Sequence, residues 1–288
     1  SDMEAMAAQT QYEDGYWWSK DGLRLHYRDY PGRADRPPIL CIPGLTRNAR
    51  DFAHVADRLA GDWRLICVDL RGRGESGYSK LPMSYGPLTY LQDLEDMLDT
   101  LGIARAHFCG LSMGGATGMW LAVHASSRID RLVLCNTMPW LGPPEVMDAR
   151  IATMRRDGMA ALVEGILQRW FTADAITHHG AVVERIRQTL LQTPIDGYVG
   201  CCEALRDMDQ RAELARIAAP TLVIAGTFDP APTPATAREW ASMIPNARCM
   251  ELSAAHLSNI GAAAEFNEAV PAFLGKATRG NGSAATCS

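Results

Sequence analysis

Short apolar runs alternate along the chain with stretches in which apolar residues recur every three or four positions. Residues 23–30 alternate apolar and polar, and more uniformly apolar runs occupy residues 39–42, 65–68, 106–109, 132–135, 222–225 and 249–252. Helical spacing falls between them, at residues 51–59, 89–101, 115–125, 233–243 and 262–273. Buried strands separated by amphipathic helices are typical of βαβ units, so the pattern predicts an α/β fold with a mostly parallel sheet.

This alternation fails in one block only. From Trp140 to about Leu214 there is no strand signal, and helical spacing recurs at residues 159–170 and 181–191. We therefore expect a helical cap, residues 138–217, inserted into a core made of residues 1–137 and 218–275. Residues 276–288, rich in Gly, Ser, Thr and Ala, are expected to be a mobile tail.

Composition and charge narrow the classes of protein. The chain has 288 residues, of which 47% are hydrophobic and 21% charged, values of an ordinary globular protein rather than a disordered one. The formal net charge is −5, which provides no broad positive field for a polyanion. A nucleic-acid partner is therefore not expected.

Apolar segments, the first residues and the positions of the cysteines predict where in the cell the protein is located. No stretch approaches the roughly 20 apolar residues of a membrane span, and the acidic first residues do not resemble a secretory signal. Most of the 8 cysteines lie inside strand-like runs, which indicates buried core residues rather than disulfides. These are Cys41, Cys67, Cys109, Cys135 and Cys249. We expect a cytoplasmic protein without a membrane partner.

The strongest chemical motif is Gly-Leu-Ser-Met-Gly at residues 110–114. It follows the strand-like run 106–109 and precedes a helix expected to begin near Ala116. A G-x-S-x-G sequence between a strand and a helix is typical of a nucleophile elbow, in which a tight turn exposes the serine. Ser112 is therefore the candidate nucleophile, and the backbone N–H of Met113 is a candidate oxyanion donor.

A serine nucleophile requires a histidine base and a carboxylate that orients the histidine. For this elbow the chain order is serine, acid, histidine. Asp229 follows the run 222–225, and His256 follows the run 249–252, so both are expected just beyond strand ends. The remaining candidates suit surface or core roles better: His107, His124, His178 and His179. The predicted catalytic set is Ser112, Asp229 and His256.

A second oxyanion donor is expected from the loop after the run 39–42. Pro43 and Gly44 precede Leu45 there, and Gly44 would let the backbone pass close to a substrate. The backbone N–H of Leu45 is the candidate. A Pro-Gly pair also suits an ordinary turn after any strand. The motif alone therefore leaves open that Pro43 and Gly44 only form a turn.

The sequence predicts neither a dinucleotide site nor a metal site. Residues 72–77 match G-x-G-x-x-G, but Pro82, Gly86 and Pro87 follow where a dinucleotide site needs a helix. A tight loop braced by Asp69 and Arg71 is the better interpretation. No group of His, Cys and Asp has metal-ligand spacing, and Cys201 and Cys202 are adjacent. We expect neither a cofactor nor a metal.

With these motifs in place the chain resembles the α/β-hydrolase fold family, including its turn at residues 69–76. The resemblance implies an eight-stranded, mostly parallel sheet with helices on both faces and a helical cap after strand six. A closer similarity is to the 3-oxoadipate enol-lactonases, which open an unsaturated lactone in aromatic catabolism. It rests on residues 108–115 (FCGLSMGG), 158–161 (GMAA), 168–172 (QRWFT), 203–207 (EALRD) and 255–260 (AHLSNI). The sequence departs from these lactonases at residues 42–45, where a polar loop is expected.

The resemblance implies a cofactor-free serine esterase or lactonase that acts through an acyl-enzyme. A dicarboxylate-like substrate would need a cation, for which Arg150, Arg155 and Arg169 are candidates. Trp140 and Trp170 are candidates for an apolar pocket wall. Two alternatives stay open, a hydrolase of C–C bonds in ring-cleavage products and a ligand-binding receptor without activity. A homodimer is also left open.

Overall fold

Eight strands form one sheet in the computed structural model, which describes residues 10–77 and 86–275. They are β1 (Glu13–Trp18), β2 (Arg24–Tyr30), β3 (Ile39–Ile42), β4 (Leu65–Asp69), β5 (Ala106–Leu111), β6 (Ile129–Cys135), β7 (Thr221–Gly226) and β8 (Ala247–Leu252). The order across the sheet is β1-β2-β4-β3-β5-β6-β7-β8. Strands β1 and β2 are antiparallel to their neighbours and all other pairs are parallel. The predicted fold class is confirmed.

The helices alternate with the strands. In the core they are α1 (Ala53–Leu59), α2 (Pro87–Thr100), α3 (Met113–His124), α9 (Pro234–Ala241), α10 (Ser258–Gly261) and α11 (Ala263–Leu274). Between β6 and β7 lie α4 (Pro144–Asp157), α5 (Val163–Trp170), α6 (Ala173–His178), α7 (Gly180–Leu191) and α8 (Ile195–Asp207). None of these described helices combines the length and the apolar character that a membrane span requires.

The central strands are apolar because both faces of the sheet are covered. Side chains of a strand alternate between the two faces, and every residue of β3, β4, β5 and β7 is buried. The thiols of β3 to β6 belong to this core and are free and buried, whereas Cys249 is half-buried. The four buried ones are Cys41, Cys67, Cys109 and Cys135. The expectation of core cysteines is met in these strands.

The strand β1 is absent from the apolar runs of the sequence. It pairs only with β2, and Trp17 is the single buried residue in a strand that is otherwise exposed or half-buried. An edge strand of this kind has no apolar run because solvent covers most of it. The hydrophobic pattern predicts only seven of the eight strands. The family resemblance implies eight, and β1 is the strand that the pattern lacks.

The helical block is an insertion after β6, as predicted. Cys135 ends β6 and Thr221 begins β7, and the intervening residues, all described, contain helices and one isolated bridge between Trp140 and Asp209. The division into core residues 1–137 and 218–275 and cap residues 138–217 stays a prediction. The predicted mobile tail, residues 276–288, lies outside the described residues, as do residues 78–85 of the segment interpreted as non-helical.

The sheet topology decides where side chains from distant segments meet. Strands β5, β6, β7 and β8 are adjacent and parallel, so their carboxyl ends share one edge of the sheet. Ser112, Asn136, Asp229 and His256 all follow these ends within a few residues. In open α/β sheets the ligand site lies outside the carboxyl ends of the strands.

Candidate active site

Ser112 is the single residue between β5 and α3, and its backbone is left-handed, with φ 54° and ψ −116°. Its N–H donates a 2.8 Å hydrogen bond to the carbonyl of Cys135. The turn is possible because a Cβ at Gly110 would collide with the carbonyl of Gly114, and one at Gly114 with the carbonyl of Ile42. The two glycines of the motif thus allow a turn that directs Ser112 away from the sheet.

Helix α3 begins at Met113, two residues before the start that the sequence pattern predicts. The pattern places the start too late because residues 113–115 contain two glycines, whereas in the structure the helix continues directly from the elbow. The N–H of Ala116 donates a 3.0 Å hydrogen bond to the carbonyl of Ser112. Ser112 therefore lies at the positive end of a 12-residue helix, where negative charge is stabilised.

Asp229 and His256 form a hydrogen-bonded pair at the ends of β7 and β8. Nδ1 of His256 lies 2.8 Å from Oδ2 of Asp229. The carboxylate only accepts, so Nδ1 carries the proton. The other carboxylate oxygen, Oδ1, accepts a 3.0 Å hydrogen bond from the N–H of Ala231. The Asp229 side chain is 1% exposed and that of His256 is 14% exposed, so the pair is nearly dry and still reachable.

A cavity of about 140 Å³ opens against this pair. It is lined by Ser112, Asp229, His256 and Leu45, and by residues of the helical block between β6 and β7. Its other lining residues are Gly44, Thr46, Arg47, Leu141, Met147, Arg150, Ile166, Arg169, Trp170, Tyr198, Leu205, Pro230, Ala231 and Leu257. Met113 lies beside Ser112 in a smaller neighbouring space. Three residues that are distant in sequence thus line one cavity.

The loop after β3 passes close to the candidate nucleophile. A Cβ at Gly44 would lie 3.1 Å from Cβ and 3.7 Å from Oγ of Ser112. A larger residue would crowd Ser112 at this contact. The N–H of Arg47 donates to the carbonyl of Gly44 at 3.0 Å, and Thr46 within this turn has a positive φ of 64°. Glycine at position 44 therefore permits the close approach that the sequence predicts for the loop carrying Leu45.

The cap contributes positive charge to the cavity. Arg150 and Arg169 both line it, and within residues 10–77 and 86–275 no carboxylate forms an ion pair with either. Burial, and secondly the charge of Arg150, lowers the pKa of Arg169. A third cation, Arg47, is already neutralised by a buried ion pair with Asp51, whose oxygen lies 2.6 Å from Nε. The unpaired cations favour an anionic group in the cavity.

The structure separates the other predicted cap residues. Trp170 lines the cavity, and the guanidinium of Arg47 lies 5.5 Å from the centre of its ring. Trp140 is not among the lining residues of the described cavity, and Arg211 stacks on its ring at 3.7 Å. Arg155 points to Glu203 on the exposed side of the cap, at 3.6 Å. The roles predicted for Trp140 and Arg155 gain no support from these positions.

The histidines that the sequence sets aside are only partly where it predicts, because His179 is half-buried and His124 is exposed. His107 is buried in β5, and its Nδ1 accepts the N–H of Arg131 at 3.2 Å. Burial lowers the pKa of His107 to about 4. His124 pairs with Glu213 at 3.0 Å on the outside of the core, and His178 is exposed on the cap. None of these side chains lines the cavity at Ser112.

A second cluster of charge lies away from this cavity. Nδ1 of the buried His26 lies 2.6 Å from Asp69, and its Nε2 lies 2.7 Å from Asp14 and 3.2 Å from Glu75. Burial lowers the pKa of His26, but the hydrogen bonds to Asp69 and Asp14 outweigh it and raise the pKa above its ordinary value. Sequence spacing missed this group because its members come from three separate segments.

The loop at residues 69–76 is braced as expected. Asp69 accepts the N–H groups of Ala49 and Glu75, at 2.7 and 3.0 Å. The buried guanidinium of Arg71 forms ion pairs with Asp93 and Asp21, each at 2.7 Å. These bonds brace the loop that contains the G-x-G-x-x-G match.

Three residues of the site were missed by sequence reasoning. Arg47 lies two positions after the predicted oxyanion loop, a closeness that could have indicated it. Tyr198, buried on α8, lines the cavity without any sequence signal, and burial raises its pKa. Asn136 follows β6 at the same sheet edge as the candidate triad and is 1% exposed. Its polar side chain directly after an apolar strand was the available signal.

Comparison with known proteins agrees with this fold. The sequence matches the family described as alpha/beta hydrolase fold over residues 37–263. The chain belongs to that family. The description of the family names the fold found here. The chain is a carboxylic ester hydrolase of this family.

Enol-lactonases are among the similar proteins. The chain is 35% identical over 252 residues to 3-oxoadipate enol-lactonase 2 of Acinetobacter baylyi, covering 88% of this chain and 93% of the relative. It is 32% identical to 3-oxoadipate enol-lactonase 1 of the same organism, covering 75% and 80%. The crystal structure of the enol-lactonase from Burkholderia xenovorans LB400 is 40% identical, with a TM-score of 0.85 over 91% of this chain and 100% of that chain.

Proposed function

We propose that the chain is a serine hydrolase that opens a small lactone or ester through an acyl-enzyme, with Ser112, His256 and Asp229 as its catalytic triad. The observation that carries the proposal is the 2.8 Å pair of His256 and Asp229 in the same cavity as a serine held in a left-handed elbow. This combination supplies a nucleophile, a base and a group that orients the base.

The reaction follows from the roles of these groups. Ser112 Oγ attacks the carbonyl carbon while Nε2 of His256 accepts the hydroxyl proton. The N–H groups of Leu45 and Met113 stabilise the resulting oxyanion. The tetrahedral intermediate then breaks down. The bond between its carbon and the ester or ring oxygen breaks, and this oxygen takes the proton from His256. A water molecule, deprotonated by His256, then attacks the acyl-enzyme. The bond between the acyl carbon and Ser112 Oγ breaks, His256 returns the proton to Oγ, and the acid product is released.

The substrate that we propose carries a carboxylate in addition to the reacting carbonyl. Arg150 and Arg169 line the cavity and form no ion pair with a carboxylate of the described residues, so a substrate carboxylate would accept charge-assisted hydrogen bonds from them. A volume of about 140 Å³ suits a small molecule. A 3-oxoadipate enol-lactone has both features, and enol-lactonases are among the relatives.

A substrate panel tests this proposal. Purified protein is assayed with 3-oxoadipate enol-lactone, a neutral aryl ester and a vinylogous diketone acid. We expect hydrolysis of the lactone with the highest kcat/KM, weaker hydrolysis of the neutral ester, and a loss of several orders of magnitude in Ser112→Ala. Preferred cleavage of the diketone would indicate a C–C bond hydrolase, and tight binding without turnover a receptor. Either result, or full activity of Ser112→Ala, contradicts the proposal.

A further inference from the structure

A three-residue segment at the end of β6, Cys135 to Thr137, contacts Ser112, Asp229 and the residue that precedes His256. The carbonyl of Cys135 accepts the N–H of Ser112 at 2.8 Å, and the hydroxyl of Thr137 donates to the Ser112 carbonyl at 2.7 Å. Asn136, between them, faces Asp229 and the turn before His256. Three consecutive residues thus connect the loops after β5, β7 and β8.

The Asn136 side chain uses both ends of its amide. Nδ2 donates to Oδ2 of Asp229 at 3.0 Å and to the carbonyl of Ala255 at 3.2 Å. Oδ1 accepts the hydroxyl of Ser258 at 2.6 Å. The side chain therefore bonds the acid of the triad and both sides of the turn that carries His256.

The backbone of Asn136 is fixed as firmly as its side chain. Its φ of 49° is left-handed, a conformation in which Asn is favoured over most residues. Its N–H donates to the carbonyl of Ile224 at 2.9 Å, and only 1% of the residue is exposed. The acceptor bond from Ser258 orients the amide so that the N–H groups, and not the oxygen, face Asp229.

We propose that Asn136 is a positioning residue, which holds the Asp229 carboxylate and the His256 turn in register for proton transfer. This inference rests on the catalytic roles proposed above. Asp229 Oδ2 accepts from both Asn136 and His256, so the amide shares the negative charge that would otherwise act on the imidazole alone. The asparagine therefore restrains the geometry of the pair and moderates how strongly Asp229 favours the imidazolium.

The test uses two variants that tolerate the left-handed backbone. Asn136→Gly removes the amide without backbone strain. We expect kcat to fall about ten- to hundredfold, in line with the loss of a buried hydrogen bond to a charged group. We also expect the acid limb of the kcat/KM profile to move to higher pH, because an uncompensated Asp229 favours the imidazolium more strongly. The other charged or titratable groups that face the cavity are unchanged: Arg47, Arg150, Arg169 and Tyr198.

Asn136→Asp is the second variant. It keeps the shape and the acceptor for Ser258, but once ionised it places a second negative charge against Asp229 and has no N–H to donate. We expect its kcat, relative to the unaltered protein, to fall by about tenfold or more as pH rises from 6 to 9. A purely structural role for Asn136 would give a ratio that does not vary with pH.

The matched control is Asn267→Ala. Asn267 lies on α11 and donates to the carbonyl of His54 at 3.0 Å, so the variant also loses a buried amide hydrogen bond, away from Asp229. Its melting temperature should fall while kcat and the pH profile stay unchanged. The inference is overturned if folded Asn136→Gly keeps its kcat and acid limb, or if the Asn136→Asp ratio is flat. An active Ser112→Ala would instead refute the proposed function.

Discussion

His256 and Asp229 lie 27 positions apart in the chain, yet Nδ1 of the histidine is 2.8 Å from Oδ2 of the aspartate. The contact exists because β7 and β8 are parallel neighbours, joined by α9, and both residues follow their carboxyl ends. The proton on Nδ1 leaves Nε2 as the basic nitrogen. The pair thus provides an oriented base at the cavity that Ser112 lines.

Asp229→Asn should lower kcat by about 10³–10⁴-fold, because an amide favours the wrong tautomer of His256 and cannot stabilise the imidazolium. KM should change little if Asp229 does not contact substrate. The measurement is steady-state kinetics on the lactone, with circular dichroism to establish that the variant is folded. Retention of more than about a tenth of the activity would rule out a triad role for Asp229.

Gly114→Ala should destabilise the fold by about 3 kcal/mol or more, since its Cβ would collide with the Ile42 backbone, which cannot move away as a flexible side chain can. Gly180→Ala is the matched control, because a Cβ at Gly180 meets nothing within 4 Å at the start of α7. Its free energy of unfolding should be unchanged or slightly higher. Urea unfolding of both variants measures the difference, and equal stabilities would refute the steric argument.

Arg169→Gln and Arg150→Gln should each raise KM for a carboxylate-bearing lactone by about ten- to hundredfold, the value of a charge-assisted hydrogen bond. KM for a neutral ester should stay within about twofold, since no anion is lost from that complex. Arg155→Gln serves as the control, because Arg155 lies on the same helix as Arg150 but pairs with Glu203 outside the cavity. Equal effects of all three variants on both substrates would contradict the proposed carboxylate site.

The stability of the fold should depend on pH through His26. Its folded pKa is raised, so its ion pairs with Asp69 and Asp14 contribute fully below the ordinary value of 6.5. That contribution is lost as pH rises through the raised folded pKa. The difference in free energy of unfolding between the protein and His26→Gln should therefore narrow from pH 6 to pH 9, as measured by urea unfolding.

The contribution of His107 to stability should depend on pH in the opposite direction. Its folded pKa is lowered to about 4, so its contribution is present above 6.5 and is lost as pH falls towards 4. The stability difference for His107→Gln should then narrow on the acid side, from pH 6.5 downwards. A difference for His26→Gln that instead grew with pH would contradict a raised pKa of His26 in the folded protein.

Local sequence determined the features that depend on neighbouring residues. The glycines at 110 and 114 dictate the elbow at Ser112, because only residues without a Cβ fit that turn. The apolar runs dictate the central strands, because both faces of the sheet are buried there. The sequence also predicts that Ser112, Asp229 and His256 lie at one edge of the sheet, because they follow β5, β7 and β8 and the carboxyl ends of parallel strands share one edge.

Tertiary structure alone decided the contacts between segments. The exposed edge strand β1 has no apolar run, so its pairing with β2 was not visible in the pattern. Which arginines face the cavity depends on how the cap helices pack, and this separated Arg150 and Arg169 from Arg155. The bond from Asn136 to Asp229 joins residues 93 positions apart. Side-chain direction and distance at such separations are set by packing, which residue type and spacing do not encode.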